Sequence, residues 1–245
     1  MKKVFLLIVF SLNVLFSSFA QLLDNTAYNQ DVQRFNATLN KKKDKHASAI
    51  YNLNFHDENG YIAYQCVIPI KDPSYMSTVI ACTKLWFHSD EGMILTKETS
   101  RTESVQTIKG FCHLGILASH NEGLTYGKLQ MIKEHIHANA EVVFEFKEDR
   151  LRMSVYVKKY VTSYTVVGND VLPDKYQNQY EYSITNRPPF KDSTYKKSWL
   201  IAYIEANGNS LSLVGNYINY VNKSYVNLIN SKKEDERRSN DNWYV

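Results

Sequence analysis

The stretch "EFKEDRLRMSVYVKKY", residues 145–160, decides the fold. Leu151, Met153, Val155 and Val157 alternate with Arg152, Ser154 and Tyr156, the period-two pattern of a strand with one apolar face. Charged residues around Asp149 form a turn, so the segment is predicted to be two strands folded back on each other. An apolar sheet face has to be buried against another layer.

Working outward, the segments "MILTKETSRTESVQTIKGFCHLGILAS", "LTYGKLQMIKEHIHANAEVVFEF" and "RLRMSVYVKKYVTSYTVV" are rich in β-branched and aromatic residues and broken by short polar turns. They predict a meander of four or five antiparallel strands. Further upstream, "YNLNFHDENGYIAYQCVIPI" shows strand-like alternation, with "ENG" as a hairpin turn between Phe55 and Tyr61 and a strand from Tyr61 to Ile70. In "KDPS", Asp72 is placed to cap a helix whose first position is Pro73. That helix runs to about His88, with Met76, Val79, Ile80, Thr83, Trp86 and Phe87 on one face.

Beyond the meander, residues 168–192 hold three of the five prolines and no clear period, and read as a long excursion. Ser193 then caps a helix that places Tyr195, Trp199, Tyr203 and Ala206 along one side. "NGN" at 207–209 interrupts it. A second helix follows, with Leu211, Val214, Ile218, Val221, Tyr225 and Leu228 spaced by threes and fours. The end, from 231 to 245, is mixed in sign and reads as a solvated tail. Residues 21–49 read as a polar extension: a short, marginal helix around Val32, Phe35 and Leu39, then a solvated lysine-rich linker. The predicted class is α+β, an antiparallel sheet of about five strands covered on one face by helices.

The first twenty residues, "MKKVFLLIVFSLNVLFSSFA", combine two lysines, an apolar run from Val4 to Phe10 and a small-residue end. This is the pattern of a secretory signal peptide cleaved between Ala20 and Gln21. An uncleaved anchor is the rival, but Asn13 and the serines interrupt a span that would need about 20 apolar residues. The expected product is secreted or periplasmic, with no transmembrane span in the mature chain. Without Lys2 and Lys3 the basic count falls from 29 to 27 against 25 acids, so +4 becomes +2. That near-balance lacks the basic footprint of a nucleic-acid binder. Cys66, Cys82 and Cys112 are too few for a disulfide framework and read as small buried hydrophobes.

The order of these features, an export signal ending "FAQ", a strand with "VIPI", the helix "CTKLWF", a strand pair around "KETSRTESVQTIKGFCHLGI" and the hairpin at 142–160, resembles a TBP-like-fold domain of unknown function found in exported Bacteroidetes-type proteins. Asp149, Arg150, Leu151 and Arg152 match the hairpin turn of that family; "KED" departs from it where glycine often sits, as does the proline-bearing insertion. The resemblance covers roughly residues 60–165. It implies a two-layer TBP-like sandwich in an envelope protein and supplies no catalytic residues, metal or cofactor.

Candidate chemistry is sparse. There is no G-x-S-x-G elbow, H-E-x-x-H, glycine-rich phosphate loop or C-x-x-C. His135 and His137 share a strand face while Glu134 points to the other, which leaves zinc short of ligands. Cys112 and His113 fall on opposite faces and cannot pair with each other. A hydrolase would have to draw on His113, His120 or the His135 and His137 pair. Arg150 and Arg152, two residues apart, either form a fork for a carboxylate or phosphate or simply occupy the solvent face. Eighteen tyrosines are the least ordinary feature of the composition. Tyr176, Tyr180 and Tyr182, with Phe190, crowd the excursion, where aromatic rings either anchor a protein or stack on a sugar, or pack the loop down. "DST" at 192–194 also resembles an O-glycosylation acceptor. These features point to a non-enzymatic binding module whose partner is another envelope protein, with a glycan as the alternative.

Overall fold

The computed structural model describes residues 21–39, 46–89, 93–98, 105–125, 130–167, 180–183 and 196–241. Its elements are helices α1 (Thr26–Leu39) and α2 (His46–Tyr51), strand β1 (Ile62–Pro69), helix α3 (Met76–Phe87), strands β2 (Met93–Glu98), β3 (Gln106–Thr125), β4 (Gln130–Lys147), β5 (Arg150–Val157), β6 (Lys159–Val167) and β7 (Tyr180–Ser183), and helix α4 (Lys196–Asp241). The strands form one antiparallel sheet of seven. The helices cover one of its faces, so the α+β two-layer class read from the sequence stands.

The sheet is five strands wide, in the order β1-β5-β4-β3-β2. The two further strands arise because β4 is long: Glu141–Lys147 pairs with β5 and Met131–Ala138 with β6. Between the pairs Glu141 with Tyr156 and Ala138 with Tyr160, β4 advances three residues and its partner four. The extra residue is a bulge at Lys158, and it switches the parity of the buried face. Leu151, Met153, Val155 and Val157 are buried before it, Tyr160 and Thr162 after it. On β3, a bulge falls between His113 and Ile116, where Gly115 takes φ +72°.

The expected starts and stops hold around α3. Asp72 accepts from the Ser74 amide, Pro73 opens a 3-10 turn over Pro73–Tyr75, and the α-helix follows. Val79, Thr83, Trp86 and Phe87 are buried on the sheet. Trp86 meets the rings of Phe87, Phe144 and Tyr217 at centroid distances of 5.4, 5.8 and 5.4 Å. Gly110 on β3 permits this approach, since a Cβ there would stand 2.2 Å from Phe87 Cε1.

Three expectations need correction. The C-terminal segment is one helix of 46 residues, continuous through "NGN", and it takes up the described part of the supposed tail as far as Asp241. Asn207 is buried and donates to Tyr203 O, Asn209 donates to Leu114 O, and Gly208 faces the Phe35 ring. These tertiary contacts offset a glycine penalty of about 1 kcal/mol. Ser193, the expected cap, lies outside the described residues.

The N-terminal extension belongs to the core. Leu22 and Leu23 are 1% and 0% exposed, and Asn222 of α4 accepts from both of their amides at 2.9 and 2.8 Å. The Tyr28 hydroxyl lies against Gly215 of α4. The lysine-rich linker at 40–45 is outside the described residues.

The strand expected before "ENG" is absent. Tyr51 ends α2, Asn54 takes φ +61°, and only His56 bridges to Ile62. The turn itself is present, with the Asp57 carboxylate accepting from the Asn59 and Tyr61 amides and Gly60 at φ +80°.

Candidate binding face

The sheet face opposite the helices carries no helix or strand among the described residues. Strand alternation and register place its side chains in rows. Ile94, Phe111, Glu141 and Tyr156 are successive cross-strand partners, and Ile116 stands beside His137. Ile94, Phe111 and Ile116 are 57%, 45% and 58% exposed. Large apolar side chains left in water on adjoining strands are unusual where single scattered ones are not.

Beside them lies a polar strip. His113 hydrogen-bonds with Asn139. His135 hydrogen-bonds through Nδ1 with Ser119 Oγ (2.9 Å) and through Nε2 with Thr165 Oγ1 (2.8 Å), and His137 Nε2 with Ser163 Oγ (2.8 Å). The His135 and His137 ring centroids are 6.2 Å apart. Burial, reinforced by Lys133, lowers the His135 pKa; burial, reinforced by His135 and His113, lowers that of His137. Both shifts favour the neutral ring in the folded protein. Because protonation is harder in the folded state, their contribution to stability is complete above the usual value of 6.5 and is lost as pH falls from there through the lower folded values. In thermal melts across that window, His135→Gln with His137→Gln should flatten the acid-side decline relative to the native protein. Superimposable pH profiles would show that the rings are not held neutral.

As expected, Glu134 points the other way. It is 6% exposed on the helix-side face, accepts from Tyr164 OH at 2.9 Å and pairs with His120 Nε2 at 2.8 Å. His120 and His135 thus lie on opposite faces of the sheet, and so do Cys112, which is buried, and His113, which is exposed. No three His, Cys, Asp or Glu side chains among the described residues gather as metal ligands. The three cysteines are buried free thiols.

Of the residues singled out in the sequence, Arg150 and Arg152 are exposed and each is held by an acid. Arg150 grips Asp149 through Nε and Nη2 at 2.7 and 3.1 Å, and this pairing holds the Asp149 carboxyl below the usual range. Arg152 lies 2.6 Å from Glu145 across the hairpin. Tyr180 and Tyr182 stand on β7, paired in register with Thr162 and Tyr160, so the excursion contains a strand that its lack of period concealed. Tyr176 and Phe190 lie outside the described residues. The sequence reading missed the apolar row, because only register shows that Ile94 and Phe111 are neighbours.

The chain is similar to a TBP-like protein from Parabacteroides distasonis ATCC 8503. The identity is 15%, the match covers 67% of this chain and 95% of that one, and the TM-score is 0.38. At that level the likeness says nothing of activity or partner, and the two-layer assignment rests on the sheet and helices described above. No protein-family model and no curated protein matches the chain. No helix among the described residues is long and apolar enough to cross a membrane.

Proposed function

We propose that this protein is an exported, non-enzymatic binding module that contacts another protein of the cell envelope through the uncovered face of its sheet. The observation that carries the reading is the exposed row of Ile94 and Phe111, with Ile116 beyond it, on a face no described element covers. Apolar side chains at the centre of a patch with a polar rim are the anatomy of a protein contact. An enzyme would need its polar groups to converge in a pocket, whereas the histidines here divide between two faces of a sheet. The export half of the reading rests on the signal-like first twenty residues.

The test is capture of partners by crosslinking in the native envelope, read by mass spectrometry, with three proteins compared. The native chain should enrich one protein. Phe111→Asp with Ile116→Asp should fold normally, since both positions are about half exposed, and lose that protein at least about tenfold, as expected for removing central apolar anchors. Arg150→Ala with Arg152→Ala should keep both its melting temperature and its partner, because exposed ion pairs contribute little. Retention by the aspartate variant would refute the face, loss by the arginine variant would move the contact to the hairpin, and a blank with the native chain would favour a glycan held by the Tyr176 to Phe190 segment.

A further inference from the structure

A second surface lies at the edge of β1, and it does not depend on the reading of the sheet face. In a strand, the N–H and C=O of one residue point to one side and those of the next to the other. The Ile70 amide donates to Asp149 O on the β5 side, so the odd-numbered residues of β1 face outward. Both ends of that outward edge are closed. At one end the Ala63 amide donates to Phe55 O and the Asp57 amide to Tyr61 O, both at 3.0 Å. At the other, the Asp24 amide donates to Pro69 O at 3.0 Å and the Lys71 amide to Leu22 O at 2.9 Å. Pro69, on the same side, has no N–H to offer, a common way of blunting an edge.

Between these clamps the N–H and C=O of Gln65 and the N–H of Val67 have no hydrogen-bond partner among the described residues, and Val67 O meets only the Cys66 thiol at 4.0 Å. Gln65 is exposed and Val67 is 49% exposed. A cleft of about 390 Å³ opens at the same place, floored by Ala63 and Gln65 and walled by α1 and by residues 53–57. Its walls mix Leu53 and Phe55 with Asp31, Arg34 and Asp57. Asp31 shares one oxygen with Arg34 at 3.0 Å and accepts from Tyr64 OH on the other, while Asp57 takes the Asn59 and Tyr61 amides on its Oδ1. Two carboxylates against one guanidinium leave the cleft with a net negative charge.

We propose that this slot takes an extended peptide segment of another protein, which adds as a short strand along Gln65 and Val67 and lays a lysine or arginine side chain in the cleft. Strand addition draws its affinity from main-chain hydrogen bonds and its specificity from a side-chain pocket beside the edge. The cleft suits a basic side chain on both counts: Leu53 and Phe55 offer an apolar stretch to the methylene stem, and Asp31 and Asp57 line the cleft for the charged head. The length of the gap, two outward-facing residues, sets the length of the ladder.

The probes are blocked pentapeptides, Thr-Val-Lys-Val-Thr, the same peptide with Glu in place of Lys, and the Lys peptide N-methylated at alternate amides. Backbone amide resonances of the purified protein are followed during titration. The Lys peptide should shift Gln65 and Val67 and saturate. The Glu peptide should bind about tenfold more weakly, a difference of about 1.4 kcal/mol, and the N-methylated peptide should not shift these amides. Asp31→Asn, which keeps an acceptor for Tyr64, should shrink the preference for Lys over Glu several-fold while leaving the melting temperature in place. The proposal is overturned if Gln65 and Val67 do not move at millimolar Lys peptide, if the N-methylated peptide moves them equally, if Lys and Glu peptides bind alike, or if those amides instead shift with protein concentration alone, which would make the edge a contact between two copies of this chain.

Discussion

Replacing Trp86 with alanine lowers the unfolding free energy by about 3–5 kcal/mol, the usual loss for a large aromatic removed from a core. The indole is 4% exposed and touches rings from all three parts of the core: Phe87 of its own helix, Phe144 of β4 and Tyr217 of α4. Each such aromatic pair adds about 0.5–1.5 kcal/mol beyond the area it buries. The cavity left behind cannot readily close, because Phe87, Phe144 and Tyr217 are themselves fully buried and held by their own elements. Thermal denaturation should show a fall of about 6–20 °C for a chain of this length. Leu85→Ala is the matching control, since Leu85 is 59% exposed on the same helix and should cost little. Equal effects from the two substitutions would refute the packing of α3 against both the sheet and α4.

The second large effect is expected at Asn222. Its Oδ1 accepts from the amides of Leu22 and Leu23, and its Nδ2 donates to Leu23 O at 3.2 Å. One side chain on α4 thereby satisfies a segment almost two hundred residues away in the sequence. Asn222→Ala leaves two buried amides without acceptors, and each costs about 1–3 kcal/mol. A loss of about 2–4 kcal/mol should follow, together with faster proteolysis and amide exchange across Leu22 to Leu39. The second readout distinguishes detachment of the N-terminal segment from general weakening, because α3 and the sheet should keep their protection. Unchanged exchange at Leu22 and Leu23 would mean that apolar burial alone holds the segment, and Lys223→Ala, exposed one position on, should change nothing.

These two residues also mark what was legible in the sequence. Trp86 was placed in the core from spacing alone, because an amphipathic helix declares its buried face every three to four residues. Asn222 was invisible, since its role depends on a partner at the other end of the chain. The same division runs through the candidate sites. Alternation was enough to put His135 and His137 together and Glu134 opposite them. Nothing local could show that Tyr180 and Tyr182 form a strand with β6, or that Arg152 would be matched by Glu145 across the hairpin.

The sequence by itself determined the local geometry: the period-two strands, the face of α3, the Asp72 and Pro73 start, the turn at "ENG" and the two-layer class. Those features follow from backbone preferences and from the requirement that each apolar face be covered, both of which act over a few residues. Tertiary structure decided the rest. It carried α4 through "NGN", where contacts from Phe35 and Leu114 outweigh a modest glycine cost. It placed the bulge at Lys158 that switches the buried face from odd to even residues. It brought Ile94 beside Phe111, and it closed both ends of the β1 edge while leaving Gln65 and Val67 between them. Register and edge pairing join residues far apart in the chain, so no local pattern encodes them, and it is there that this protein keeps the surfaces proposed for its partners.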